Sequence, residues 1–270
     1  MGNQLGIIAG SGEFPFLVLK EAQKSGYRCI IAGIKGEAET SLQEKAEVFE
    51  WFDVDEVSNL IFFFKNSGVR EAVFAGKVDH RIIYKKEKLG YNSMRIQQAQ
   101  CKNRTPTVLL EAVIDLLAKE GFEIKNPMLF LSSSLCEEGV LTKTKPSHAI
   151  EEDIDFGWKI AKNIADSDIG QTVIVKDKAV VAIEGMEGTD EAIKRGGQLA
   201  GKGTVVVKVT RSTQDFRVDL PAIGLNTMKS LVEAGSKALC FEAQKMPFFQ
   251  KEKAVSLANV YKISIIAKKS

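Results

Sequence analysis

Short apolar runs of about five residues alternate with longer amphipathic stretches along the chain. The first run, Leu5-Gly6-Ile7-Ile8-Ala9, ends in Gly10-Ser11-Gly12. Pro15 then opens a helical stretch over residues 16–25 that stops at Gly26, and a second apolar run follows at Cys29-Ile30-Ile31-Ala32-Gly33. Proline near the first turn and glycine just past the last one are ordinary helix punctuation. A strand, a loop, a helix and a strand in that order build a parallel sheet. The pattern recurs in a predicted helix over residues 57–66, closed by Gly68, and a strand over 71–75 that runs into Gly76-Lys77-Val78. Thr105 and Pro106 then start a helix whose Leu109, Leu110, Val113, Leu116 and Leu117 keep helical spacing as far as Gly121. A short strand follows at residues 122–124.

A boundary is expected within residues 125–134, which divides the chain into domains 1–130 and 131–270. Beyond it, Ile150, Ile154, Trp158, Ala161 and Ile164 mark an amphipathic helix. Asp168-Ile169-Gly170-Gln171 turns the chain into a strand at 172–175. Lys176-Asp177-Lys178 reads as a hairpin turn leading to a strand at 179–183. A β-branched strand at 204–209, a helix from Asn226 to just before Gly235, a strand at 238–241 and a helix–strand pair over 251–267 complete the chain. The fold class is therefore α/β twice over, with a Rossmann-like parallel sheet first and a mixed α/β domain second.

Composition narrows this only a little. The 270 residues are 44% hydrophobic and 27% charged, enough for two cores without disulfides or structural metal. The net charge of +2 lacks the basic bias of a dedicated nucleic-acid binder. Cys29, Cys101, Cys136 and Cys240 form no CxxC pair, which removes zinc-ribbon and thioredoxin-like spacing. The start, Met1-Gly2-Asn3-Gln4-Leu5, has no signal-peptide character. The densest apolar cluster, residues 60–64, is far shorter than the roughly 18 residues of a membrane helix. The expectation is a soluble, cytoplasmic protein, free to touch a bilayer surface.

Four constellations could carry chemistry. Ala9-Gly10-Ser11-Gly12-Glu13-Phe14-Pro15 lies between a strand and a helix, where glycines let the backbone approach a phosphate and the helix start favours negative charge. It departs from G-x-G-x-x-G because Pro15 stands at the third glycine. The competing reading is a tight turn without a ligand. Phe74-Ala75-Gly76-Lys77-Val78-Asp79-His80-Arg81 lies at the predicted carboxyl end of a strand, where ligands of open parallel sheets sit. Lys77 and Arg81 could hold phosphate oxygens, or they could be solvated charges. His80 and His148 have no metal-ligand spacing.

The third constellation, Glu184-Gly185-Met186-Glu187-Gly188-Thr189-Asp190, puts three carboxylates at a strand end and suits Mg²⁺. Its bland reading is Thr189 as a helix cap. In the fourth, Gln214-Asp215-Phe216-Arg217-Val218-Asp219-Leu220-Pro221-Ala222-Ile223-Gly224, an extended chain would put Asp215, Arg217 and Asp219 on one face. A surface ladder of ion pairs would look the same.

Taken together, and with Glu120-Gly121-Phe122-Glu123-Ile124 and Asp168-Ile169-Gly170-Gln171 added, these motifs resemble the UDP-2,3-diacylglucosamine pyrophosphatases of lipid A biosynthesis. The likeness is to the two-domain type, unrelated to the calcineurin-like metallophosphoesterases, and it spans nearly the whole chain. It implies Mg²⁺-dependent hydrolysis of UDP-2,3-diacylglucosamine to UMP and 2,3-diacylglucosamine 1-phosphate (lipid X), with Mn²⁺ or Co²⁺ as possible substitutes and the substrate between the two domains. It assigns the essential aspartate to Asp219, by its place in Arg217-Val218-Asp219-Leu220-Pro221. The needs of phosphoryl transfer then suggest a catalytic set of Asp219, Arg217, Asp215, Thr189 and Asp190, with Asp219, Glu187 and Asp190 toward the metal. Gly10, Ser11, Gly12, Lys77 and Gln214 would receive the substrate. The resemblance also makes a homodimer and peripheral contact with the inner membrane plausible partners of this chemistry. One departure is Arg211-Ser212-Thr213, where the family pattern has a Lys-Pro pair before Gln214. Two rival readings are a nicotinamide-dependent oxidoreductase, suggested by the first domain alone, and a nucleotide-sugar or lipid-binding protein without catalysis.

Overall fold

The computed structural model describes residues 3–78 and 106–270, with side chains from residue 110 onward in the second stretch. Asp79, His80, Arg81, Cys101 and the expected cap Thr105 lie outside the described residues. The chain forms two compact units. The first is Met1–Ser132 with Asp215–Asp219, and the second is Ser133–Gln214 with Leu220–Ser270.

In the first unit, strands β1 (Gln4–Ala9), β2 (Arg28–Ile34), β3 (Val48–Phe52), β4 (Glu71–Ala75) and β5 (Glu123–Ile124) make a sheet in the order β3-β2-β1-β4-β5. Every pairing in it is parallel. Helices α1 (Phe14–Lys24), α2 (Val57–Asn66) and α3 (Pro106–Lys119) connect them. Leu5, Ile7 and Ala9 share one core with Val18 and Leu19 of α1, while Ile8 belongs to another with Leu60 and Phe64 of α2. Burial on both faces is why β1 and β2 read as unbroken apolar runs instead of alternating ones. Gly6 lets α2 close in, since a Cβ there would lie 2.8 Å from the Phe64 ring. The short β3 is half-exposed at the sheet edge, and its Val-Phe-Glu-Trp-Phe sequence, aromatic and β-branched in composition, is broken by the exposed Glu50. The strand order reverses between β1 and β4, which makes their carboxyl ends the topological switch point.

The second unit holds β6 (Gly139–Val140), α4 (His148–Asp166), β7 (Thr172–Lys176), β8 (Ala179–Ile183), α5 (Thr189–Ala200), β9 (Val205–Lys208), α6 (Leu225–Ala234), β10 (Ala238–Glu242), α7 (Lys251–Val260) and β11 (Ser264–Lys268). Its sheet runs β6-β11-β10-β9-β7-β8. β9, β10 and β11 are parallel, and β6, β7 and β8 pair antiparallel, so the sheet is mixed. Val173, Val175, Val205 and Val207 face α4, and Ile174 and Val206 face the core shared with α5, α6 and α7. Each of these fully buried side chains contributes roughly 1.5–3 kcal/mol of burial. Gly157 and Gly196 bring α4 and α5 against the sheet, with the Val175 and Ile174 side chains where a Cβ would stand.

The β7–β8 hairpin turns on Asp177 and Lys178, both left-handed with φ of 52° and 58°. Buried Asp153 of α4 accepts both of their amide N–H groups, at 3.2 and 2.6 Å. No helix among the described residues is long and apolar enough to cross a membrane.

Candidate functional site

At the switch point of the first sheet, the glycine loop is zipped to its neighbour. The Gly10 amide donates to the Ala75 carbonyl at 2.8 Å, and the Ser11 amide and hydroxyl donate to the Lys77 carbonyl at 2.7 and 2.9 Å. The Lys77 amide returns a bond to the Ser11 carbonyl at 3.1 Å. A Cβ on Gly10 would stand 2.3 Å from the Lys77 oxygen, and one on Gly76 would stand 2.7 Å from the Gly10 carbonyl carbon. Both glycines are thus required for two backbones to touch, whatever else the loop does. Gly12, at φ +90°, is different: among the described residues nothing lies within 4 Å of its Cβ position. It is followed by α1, whose first turn holds Pro15 and whose N-cap residue Glu13 makes no side-chain capping bond. Lys77 is exposed beside this loop.

Residues 215–219, also part of the first unit, form a turn and not the extended run expected from alternation. The amides of Val218 and Asp219 donate to the Asp215 carbonyl at 3.1 and 3.2 Å. Asp215 grips Arg217 by Nε at 3.0 Å and Nη2 at 2.7 Å, and accepts the Arg217 amide at 2.9 Å. Those bonds to Arg217 hold the Asp215 carboxyl below its ordinary range, against the upward pull of burial. The same pairing raises the guanidinium. Val218 anchors the turn by burial in the core that contains Ile8 and Phe52.

In the second unit the third motif folds around cations supplied by the protein. Thr189 donates its hydroxyl to Glu184 at 2.9 Å, and the Gln171 amide reaches the same carboxylate at 3.3 Å. Buried Lys208, last residue of β9, donates to the Thr189 hydroxyl at 2.8 Å and to the Ala222 carbonyl at 3.1 Å. Thr189 is therefore no helix cap; Gly188 holds that position. Glu187 pairs with Arg195 and accepts the Gly185 amide at 3.1 Å. Burial raises its carboxyl, but Arg195, its own amide and the Gly185 amide outweigh it and leave the pKa lowered. Among the described residues no group of three His, Cys, Asp or Glu side chains gathers as a metal cage. Asp190 differs from its neighbours, since its buried Oδ1 has no hydrogen-bond partner among the described residues. A single orphaned carboxylate oxygen fits Mg²⁺, which commonly takes one or two carboxylates together with water and substrate phosphate.

Two strand-end residues were not singled out by motif reasoning, Lys208 and Glu242. Glu242 ends β10, is fully buried, and collects donors on both oxygens. Its Oε2 accepts from Lys162 Nζ at 2.7 Å and from the amide and hydroxyl of Thr210, each at 2.8 Å. Its Oε1 accepts from Lys245 Nζ at 2.7 Å and from the Ser270 hydroxyl. Burial pushes this carboxyl up, but Lys162, Lys245, Ser270 and Thr210 together bring it down to about 2. The signal in the sequence is a charge closing an otherwise apolar strand. Gln214 accepts the Arg211 amide at 3.2 Å, and Arg211 pairs with Asp168 at 2.8 Å.

The remaining candidates are quiet. Cys29, Cys136 and Cys240 are buried free thiols, and burial pushes Cys29 up to about 11 and Cys240 up to about 12. His148 is exposed at the start of α4, 3.8 Å from Glu152.

The two units define the class: a two-domain α/β protein with polar residues at the carboxyl ends of its parallel strands. Residues 4–134 match the LpxI N-terminal domain and residues 137–266 match the LpxI C-terminal domain. The chain belongs to the LpxI family. It is 27% identical over 268 residues to the UDP-2,3-diacylglucosamine pyrophosphatase LpxI of Caulobacter vibrioides, covering 95% of this chain and 94% of that protein. Among solved structures, L-threonine dehydrogenase from Phytophthora infestans is similar at 14% identity, over 45% of this chain and 34% of that one, with a TM-score of 0.29. The biotin carboxylase domain of Hydrogenobacter thermophilus 2-oxoglutarate carboxylase is similar at 11% identity, over 74% and 41%, with the same TM-score of 0.29. The chain spans well under half of either solved structure, and likenesses this weak carry no argument.

Proposed function

We propose that the chain hydrolyses the diphosphate link of UDP-2,3-diacylglucosamine, releasing UMP and 2,3-diacylglucosamine 1-phosphate. The observation that carries this reading is the likeness to the Caulobacter pyrophosphatase along essentially the full length of both chains. In the reaction, a water oxygen bonds to the phosphorus attached to the sugar while the bond from that phosphorus to the bridging oxygen breaks. UMP leaves with the bridging oxygen, and Asp219 takes the proton from the attacking water. Phosphoryl transfer asks mainly for positioning and charge neutralisation, and the chain offers cations for both. Arg217, oriented by its two-point grip on Asp215, meets phosphate oxygens with the far edge of its guanidinium. Lys77 serves the same purpose beside the open Gly12 position.

Asp190 would hold Mg²⁺, with Mn²⁺ or Co²⁺ as substitutes, and Glu187 is the weaker candidate because Arg195 already occupies it. Bound there, the cation would neutralise the diphosphate and lower the pKa of a water. Because the substrate and one product are lipids, the reading places the protein against the cytoplasmic face of a membrane while it works.

The test is incubation of the purified protein with UDP-2,3-diacylglucosamine and Mg²⁺, with and without a chelator, following UMP and the acylated sugar phosphate. Metal-dependent release of both is expected. Binding without release, across several divalent metals, would replace this reading with that of a binding protein.

A further inference from the structure

The chain leaves the second unit after Gln214 and returns to it at Leu220, and the residues in between include Asp215, Arg217 and Asp219. Both feet of this excursion are fastened by buried charges. At the outgoing foot, Glu242 Oε2 accepts from the amide and the hydroxyl of Thr210, and Lys162 Nζ donates to the Thr210 carbonyl at 3.1 Å while also pairing with Glu242. Thr210 therefore has its amide, its carbonyl and its hydroxyl all held by one ion pair. Two residues on, Asp166 in the last turn of α4 accepts the Ser212 amide at 2.7 Å and its hydroxyl at 2.8 Å. At the returning foot, Lys208 donates to the Ala222 carbonyl, and the Ile223 amide donates to the Pro247 carbonyl at 3.1 Å.

The two principal charges are neighbours in the sheet. Lys208 pairs in register with Phe241, the residue just before Glu242. Their fully paired, buried state is not needed to close the core, because apolar residues of similar volume usually pack as stably as a buried ion pair. What the charges add is direction, since each of these bonds fixes a particular backbone group.

We propose that Glu242 and Lys208, with Lys162 and Asp166, are positioning residues that clamp the two feet of the excursion and so set the pose of Asp215, Arg217 and Asp219. The clamp itself is a structural statement; its consequence for turnover rests on the functional reading above.

The experiment compares wild type with Glu242→Gln, Lys208→Met and Asp166→Ala, using Asp153→Asn as a matched control. Asp153 is also buried and also holds two amides, but it serves the β7–β8 hairpin and not the excursion. Hydrogen exchange is followed across residues 210–223 and across the β7–β8 hairpin, and kcat and KM are measured on UDP-2,3-diacylglucosamine. The clamp variants should speed exchange at 210–223 by about tenfold or more, while Asp153→Asn speeds it only at the hairpin. They should lower kcat by about tenfold or more with KM within roughly threefold of wild type, and the control should keep both. Asp166 is exposed, so its variant keeps the test alive if a buried substitution fails to fold. Unchanged exchange at 210–223 in the clamp variants overturns the proposal. Faster exchange there with kcat no lower than in the control overturns the positioning role. If wild type releases no UMP, the functional reading falls by itself and the exchange measurement still decides the clamp.

Discussion

The loop after β1 and the ends of β9 and β10 hold corresponding places in their two sheets, at the carboxyl ends of parallel strands, but they are made of opposite materials. In the first unit the loop is fastened by backbone bonds between residues 10–11 and residues 75–77, and it depends on glycines. In the second, a buried lysine and a buried glutamate reach out from the strand ends and hold backbone groups of the following segment. The first arrangement tolerates no added atom, while the second tolerates no lost charge. A glycine-rich turn is thus explained in part by the close approach of two backbone segments, before any phosphate is considered. A charge at the end of an apolar strand has no such packing explanation, and it points more directly to what the fold must hold still.

Substitutions should separate these two designs. The largest effect is expected for Gly10→Ala, because the atom it meets is backbone and cannot swing away. A loss of about 3 kcal/mol or more is predicted in denaturant titration, with Gly12→Ala costing only about 1 kcal/mol for its positive φ. Equal losses at the two positions would mean that the zipper contributes little.

Acid should expose the second design. The Glu242 carboxyl falls from the usual 4.5 to about 2 on folding. Its contribution, on the order of 3 kcal/mol, is therefore fully present above pH 4.5 and is lost as the pH falls toward 2. Stability measured against pH should drop steeply over that window in wild type and less steeply in Glu242→Gln. Parallel curves would contradict the assignment.

The smallest effect is one of reactivity. In a Cys101→Ser background, folded protein at pH 8 should react with a disulfide reagent at Cys29 and Cys240 far more slowly than unfolded protein does. Both thiols are buried and are pushed up to about 11 and about 12. Prompt labelling of the native state would show that burial does not protect them.

Much of the fold is legible in the chain because it rests on local signals. The five-residue apolar runs became β1, β2, β4 and β7 to β11, and Gly235 ends α6 in the left-handed conformation that its place after the helix implies. Strand β3 was not expected because Glu50 interrupts its apolar run at an exposed edge, and β6 because two residues carry no period. At the candidate site, the residue types were readable and their partners were not. Alternation suggested that Asp215, Arg217 and Asp219 share a face, but a bidentate Asp215–Arg217 pair folds that stretch into a turn. The carboxylates of residues 184–190 suggested a metal, while Lys208, eighteen residues beyond Asp190 in sequence, and Arg195 supply positive charge from within the chain. The Lys208 contact joins separate segments, and neither spacing nor periodicity encodes it.

The most direct test of the functional account is the rate of UMP release from UDP-2,3-diacylglucosamine by Asp219→Ala, measured alongside substrate binding by calorimetry. The account predicts turnover lowered by about a thousandfold or more with binding still measurable. Release at the wild-type rate would remove Asp219 from the chemistry and the mechanism with it.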